Sequence, residues 1–216
     1  MSGLRWAGCV VGLALLLGCG RVAVRPENTG RTSVAEADVE LRVKPVERTE
    51  AGLVLTYEVH NRGGQAVWLL DRLFESGPTG SLRLNPDKAY VELRGSEVLV
   101  SRMIYPVPDE LLVEVPEVPA VSRVEPGQTV SRRAVLAVPL RQWLPYDQDS
   151  AKELPLESVS ELRLRVGYLV DEPGVELNEA KDSEGTPYKL PTYGKALKVQ
   201  KILHSGPLSV PAAGAK

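Results

Sequence analysis

The chain predicts an all-β sandwich of about eight to ten strands, and three observations carry that reading. Apolar and polar residues alternate over short runs, the period of a strand with one buried and one wet face. Turns rich in Gly, Pro and Asn separate the runs, with 19 Gly and 17 Pro spread over 216 residues. No run of ten or more residues carries a sustained helical period. Strands in series without intervening helices imply packed sheets rather than an α/β fold, and a sandwich rather than a barrel.

The first strand is expected over Val39 to Val43, where Val39, Leu41 and Val43 alternate with Glu40 and Arg42. Leu53, Leu55, Tyr57 and Val59 repeat the period. Asn61-Arg62-Gly63-Gly64 reads as a tight turn, and Ala66 to Phe74 as the return strand of a hairpin. Ser76 to Asp87 reads as loop, with a short strand at Ser81 to Leu84. Tyr90 to Leu93 and Val98 to Met103 flank Arg94-Gly95-Ser96-Glu97 and predict a second hairpin. A strand is expected at Leu111 to Val115, giving way to an irregular crossing at Pro116 and Pro119.

Glu125-Pro126-Gly127-Gln128 fits a type II turn, because Pro sets φ at the second position and Gly supplies positive φ at the third. Val130 to Leu140 then places Val130, Ala134, Leu136, Val138 and Leu140 on one face. The strongest alternation is Glu161 to Val170, with Leu162, Leu164, Val166, Tyr168 and Val170 opposite Glu161, Arg163 and Arg165. A last strand is expected from Lys195 to His204, with Leu197, Val199 and Leu203 inward and a bend at Gly206-Pro207. The sandwich domain therefore spans residues 39–210, with residues 211–216 a disordered tail.

Ahead of residue 39 the composition changes. Arg5 precedes an uncharged apolar segment from Trp6 to Leu17. It is shorter than the roughly 20 residues a spanning helix needs, and reads as the core of a signal peptide. It closes on Leu16-Leu17-Gly18-Cys19, which resembles the lipobox of bacterial lipoproteins. That resemblance implies that residues 1–18 are removed and that Cys19 becomes an acylated first residue, tying the protein to a membrane through lipid. Each buried methylene contributes about 0.8 kcal/mol, so the two or three chains of such lipoproteins anchor stably where one chain binds marginally. Gly20 stands where an Asp would resemble an inner-membrane retention signal, which favours the outer membrane; the expected placement is there, facing the periplasm, with the inner membrane and the cell surface as alternatives.

Arg21 to Asp38 holds Pro26, Asn28, Gly30, Thr32 and Ser33 without an apolar period, so residues 19–38 are expected to be a lipidated flexible tether. At about 3.3 Å per residue it reaches at most roughly 60 Å. Cys9 falls inside the leader, so the processed chain has no internal disulfide and must be held by its own core. Length permits that, since about 180 residues bury most of their apolar surface.

Short strands in series, with Trp68 on the strand after the first turn and Tyr168 late in the chain, resemble an immunoglobulin-like β-sandwich. The paired cysteines of antibody domains are absent, and the resemblance implies an architecture without an activity.

The formal charge is −2, from 26 bases against 28 acids, and loss of Arg5 makes it 25 against 28, or −3. No long basic block offsets this, so nucleic acid is not an expected partner. His60 and His204 are the only imidazoles, and no G-x-S-x-G, H-E-x-x-H or P-loop pattern occurs. Asp147, Asp149 and Glu153, and Asp182 with Glu184, read as solvated loop acids because a full calcium ligand series is missing. No catalytic residue, metal or cofactor is expected.

Two aromatic loops, Gln142-Trp143-Leu144-Pro145-Tyr146 and Tyr188-Lys189-Leu190-Pro191-Thr192-Tyr193, hold the better candidates. Trp143, Tyr146, Tyr188 and Tyr193 stand beside prolines, and stiff aromatics make good interface anchors because little entropy is lost on ordering them. The competing expectation is that these loops plug the ends of the sandwich. Together these features lead us to expect a non-enzymatic, lipid-anchored cell-envelope protein that binds an envelope protein partner or plays a structural role. The alternative is a carrier or sensor of a small apolar ligand or glycan. A carrier should show an enclosed pocket, and a contact protein an exposed patch or open edge strand.

Overall fold

The computed structural model describes residues 32–36, 38–50, 52–77, 80–147 and 152–211. The expected leader, Cys19, Asp149 and the expected tail from residue 212 onward lie outside them. The chain forms β1 (Thr32–Glu36), β2 (Val39–Val43), β3 (Glu47–Thr49), β4 (Gly52–Asn61), β5 (Val67–Ser76) and β6 (Leu82–Asn85). There follow β7 (Tyr90–Arg94), β8 (Glu97–Arg102), β9 (Ala120–Val124), β10 (Thr129–Leu136), β11 (Leu140–Arg141) and β12 (Glu153–Leu154). The last part holds β13 (Glu161–Val170), β14 (Leu177–Lys181), β15 (Pro187–Pro191), α1 (Tyr193–Val199) and β16 (Lys201–His204).

One sheet runs β1-β2-β4-β10, with β3 beside the start of β4. The second runs β14-β15-β9-β5-β13-β8-β7, with β6 on β5 and β16 on β13, while β11 and β12 form a small ribbon. The fold is the all-β sandwich the alternation predicts. Short pairing pieces such as β3, β11 and β12 raise the strand number among the described residues above the expected range.

Period-two alternation makes the core. Leu53, Leu55, Tyr57 and Val59 of β4 are wholly buried and share one cluster with Val67, Leu69, Val98, Val100, Leu162, Leu164, Val166 and Tyr168 of the opposite sheet. Each fully buried Leu or Val contributes about 1.5–3 kcal/mol. The second sheet is apolar on both faces: Trp68, Leu70, Val121 and Leu169 form a separate cluster with Ile104 and Ala196. Alternate residues of β5 therefore serve opposite faces. Trp68, which carries part of the immunoglobulin-like resemblance, lies outside the intersheet core, whereas Tyr168 lies within it.

One charged side chain is taken wholly inside. Arg102 donates from Nη1 to the Tyr57 hydroxyl at 3.0 Å and from Nε to the Lys88 carbonyl at 3.0 Å. Its Nη2 donates to the carbonyls of Pro86 and Arg133, both at 2.6 Å. The guanidinium thus joins β8, β4, β10 and the turn before β7.

Several local expectations are corrected. β4 and β5 do not form a hairpin, because the Asn61–Gly64 turn carries the chain from one sheet to the other. The buried Asn61 side chain sets that corner: its amide donates to the carbonyls of Gln65 at 2.8 Å and Val124 at 3.1 Å, and its Oδ1 accepts from the Gly63 N–H at 3.0 Å. Leu111 to Val115 is not a strand; Pro106, Pro108, Pro116 and Pro119 crowd both flanks and leave few N–H donors to continue a ladder out of it in either direction. β10 ends at Leu136, and Val138 is exposed rather than inward. The first half of the expected last strand is α1, in which Tyr193, Ala196 and Leu197 pack as a helical stripe on the outer cluster. Thr32–Glu36, expected as tether, pairs antiparallel with β2 from Thr32↔Val43 to Glu36↔Val39. A polar composition does not prevent this, since an edge strand is held by backbone bonds that any non-proline residue can make.

The second hairpin forms as expected, with Arg94 opposite Glu97 in the β7–β8 register. So does the turn at Glu125–Gln128, where Gly127 has φ +76 and the Gln128 N–H donates to the Glu125 carbonyl at 3.0 Å.

Candidate functional site

β14 and β15 are paired over five positions, from Leu177↔Pro191 to Lys181↔Pro187. β15 meets β9 at the single pair Lys189↔Val121. The hairpin's turn is tied separately to β6, where the Ser183 N–H donates to the Leu82 carbonyl at 3.0 Å, and an open cleft of about 780 Å³ lies against the hairpin, β5 and β9. Trp68, Val121, Ala180, Pro187 and Tyr188 give it apolar walls. Arg72, Arg123, Arg132, Lys181 and Lys189 supply cationic groups, with Glu179 as the carboxylate among them.

Three of the cations are ion-paired within the protein, and a fourth, Arg72, donates from Nη2 to the Val121 carbonyl. Arg123 reaches Asp171 at 2.9 Å and Glu125 at 3.2 Å, and Lys189 reaches Glu179 at 3.0 Å. Arg132, from the opposite sheet, pairs with the buried Asp71 and donates to the Ser122 hydroxyl at 2.9 Å. Arg72 and Lys181 have no carboxylate partner among the described residues. Arg123 and Lys189 also sit over the Trp68 ring, at 5.4 and 5.7 Å from its centroid, where the ring quadrupole attracts them.

A bulge interrupts the β5–β9 register between Leu70 and Arg72. Around it, Trp68 Nε1, Asp71 Oδ1 and Arg72 Nε are buried without a hydrogen-bond partner among the described residues. Leaving such an atom unpaired costs about 1–3 kcal/mol, and two of the three residues, Trp68 and Arg72, line the cleft.

Of the four aromatic candidates, Tyr188 alone lines this cleft, edge-on to Phe74 with centroids 5.0 Å apart. Trp143 stacks on Tyr90 at 4.9 Å and 24°, has Lys88 Nζ 3.6 Å from its centroid, and exchanges backbone bonds of 2.8 and 2.9 Å with Val91. The Tyr146 hydroxyl accepts from the Glu117 N–H at 2.9 Å and that of Tyr193 from the Val107 N–H at 2.7 Å. These three are partly buried: Tyr146 and Tyr193 brace the 105–119 segment, while Trp143 packs on β7 and Lys88 before it. Burial holds the Lys88 ammonium below the ordinary lysine pKa and pushes the Tyr90 phenol, bonded to Glu117, well above its own.

The remaining polar candidates are dispersed. His60 shares a 2.7 Å bond with Thr129 on the first sheet, and His204 is exposed on the second. Asp182 organises its turn by accepting from the N–H groups of Leu84, Glu184 and Thr186 at 3.1, 2.9 and 2.8 Å. Asp147 accepts from the Gln142 amide. The sequence offered no local sign of the cleft, because its residues come from five separate strands. Of its lining residues, the sequence marks Trp68 as a feature of the fold and Tyr188 as one of the loop aromatics.

No family model, no curated protein and no solved structure matches this chain. What the fold and the site define is an all-β sandwich with an open, aromatic-walled and cation-lined cleft on one sheet.

Proposed function

We propose that this chain is a lipid-anchored protein of the cell envelope that works without catalysis, by gripping a protein partner in the β9–β15 cleft. The observation that carries the reading is the cleft's chemistry: aromatic walls and two cations without carboxylate partners. Apolar walls flanked by cations complement a polypeptide segment offering apolar side chains beside carboxylates. A carrier would enclose 70–90% or more of a small ligand, and this cleft lies open along the hairpin. Anchoring at Cys19 rests on the lipobox resemblance, and outer-membrane placement on Gly20.

The test is photo-crosslinking in intact envelopes from a benzoylphenylalanine placed at Tyr188, followed by mass spectrometry. The expected product is an adduct to an acidic, apolar protein segment, lost when Lys181→Glu and Lys189→Glu are introduced together. Cys19→Ala should release the protein from the membrane fraction. A lipid or glycan adduct, or no adduct at all, would sink the protein-contact reading.

A further inference from the structure

We propose that the segment held in the cleft is the Asp109–Val115 loop of a second copy of this chain; this rests on the cleft being a protein-binding site. The loop reads Asp109-Glu110-Leu111-Leu112-Val113-Glu114-Val115. Leu112 is 104% exposed and Val115 80%, the two most exposed large apolar side chains among the described residues. Asp109, Glu110 and Glu114 are exposed as well, and none has an ion-pair partner among the described residues. An apolar tip ringed by carboxylates without ion-pair partners is the complement of an apolar cleft in which Lys181 and Arg72 lack a carboxylate partner.

The loop is also presented rather than loose. The Leu111 N–H closes a turn on the Pro108 carbonyl at 3.0 Å. Tyr193 and Tyr146 tie the two stems at Val107 and Glu117. A tip held on fixed stems loses little entropy when it docks. Leu112 and Val115 stay in water in the isolated monomer, and docking into a neighbour is what would take their apolar surface out of it. Loop and cleft are different patches, so the contact is heterologous: each copy offers a loop to the next and a cleft to the one before. Such a contact builds a row or closes as a ring.

Two full-length copies carrying different affinity tags would be co-expressed in envelopes, with benzoylphenylalanine at Leu112 in one of them only. The expected product carries both tags, with the adduct mapped to Val121–Arg123 or to Pro187–Lys189 of the copy lacking the probe. Lys181→Glu with Lys189→Glu in that copy should cut the yield at least tenfold. Asp109→Lys with Glu110→Lys in the probe-bearing copy should restore it, which a merely misfolded variant could not do. No adduct, an adduct within one copy, or an adduct to a different protein overturns the proposal. The Tyr188 probe separates the two failures: if it still captures an acidic segment of another protein, the cleft reading stands and only the second copy is refuted.

Discussion

Replacing Arg102 by Met keeps a stem of similar length but removes every donor of the buried guanidinium. Left behind are the Tyr57 hydroxyl and the carbonyls of Pro86, Lys88 and Arg133, all placed around a group with no exposed surface. Each buried acceptor deprived of its donor costs about 1–3 kcal/mol, and relief from holding a charge out of water offsets several kcal/mol of the total. The net expected loss is about 3–5 kcal/mol. With a urea dependence of about 2 kcal/mol per M, the unfolding midpoint should fall by roughly 1.5–2.5 M. Tyr57→Phe removes one acceptor and should cost about 1–3 kcal/mol. Because the two side chains share a bond, the double variant should lose at least about 0.5 kcal/mol less than the sum of the singles. A midpoint shift under about 0.5 M for Arg102→Met, or strict additivity with Tyr57→Phe, would refute the argument that this guanidinium fastens the two sheets.

Trp143→Ala removes the stack on Tyr90 and the contact with Lys88. It should cost about 2–4 kcal/mol and lower Tm by roughly 5–15 °C, with Tyr188 crosslinking retained. An unchanged Tm with lost capture would instead make Trp143 an interface anchor. Stability should also fall in acid through Glu40. Arg42, bonded to both carboxyl oxygens at 2.8 and 2.9 Å, and Arg62 hold its pKa down at about 2 against an ordinary 4.5. A carboxyl with a lowered folded-state pKa contributes fully above the unfolded value, and the contribution is lost as pH drops from about 4.5 towards 2. Urea midpoints measured across that window should decline less steeply for Glu40→Gln than for the parent; parallel curves would contradict the assignment.

The strands were legible wherever one face is dry. Leu53 to Val59 and Glu161 to Val170 declare themselves because burial on a single face forces alternation. The connection after β4 was not legible, because Asn61 and two glycines satisfy a hairpin and a corner equally well. What decides between them is the bond from Asn61 to the Val124 carbonyl, a partner 63 positions away. α1 was missed for a different reason: Leu197, Val199 and Leu203 fit a period of two, while Tyr193, Ala196 and Leu197 fit 3.6. The second apolar face of the other sheet, which the helix covers, arbitrates. The cleft lay furthest from view, since it exists only where the β14–β15 hairpin, β5 and β9 come together, and the meeting of strands distant in sequence leaves no mark on local periodicity.

The pairing of β1 with β2 has a mechanical side. The ladder begins at Thr32↔Val43, and its turn lies beyond Glu36↔Val39. Tension arriving from the N-terminal side therefore loads the pair farthest from the turn and parts the strands one pair at a time, as a zipper opens, instead of shearing all pairs together. Peeling the 5 residues of β1 would pay out roughly 17 Å of chain at about 3.3 Å per residue. Only then would the load reach β2, which is clasped to β4 along its length. The first strand is thus a fuse in series with the body of the sandwich, able to yield and re-form while the cleft on the opposite sheet keeps its shape.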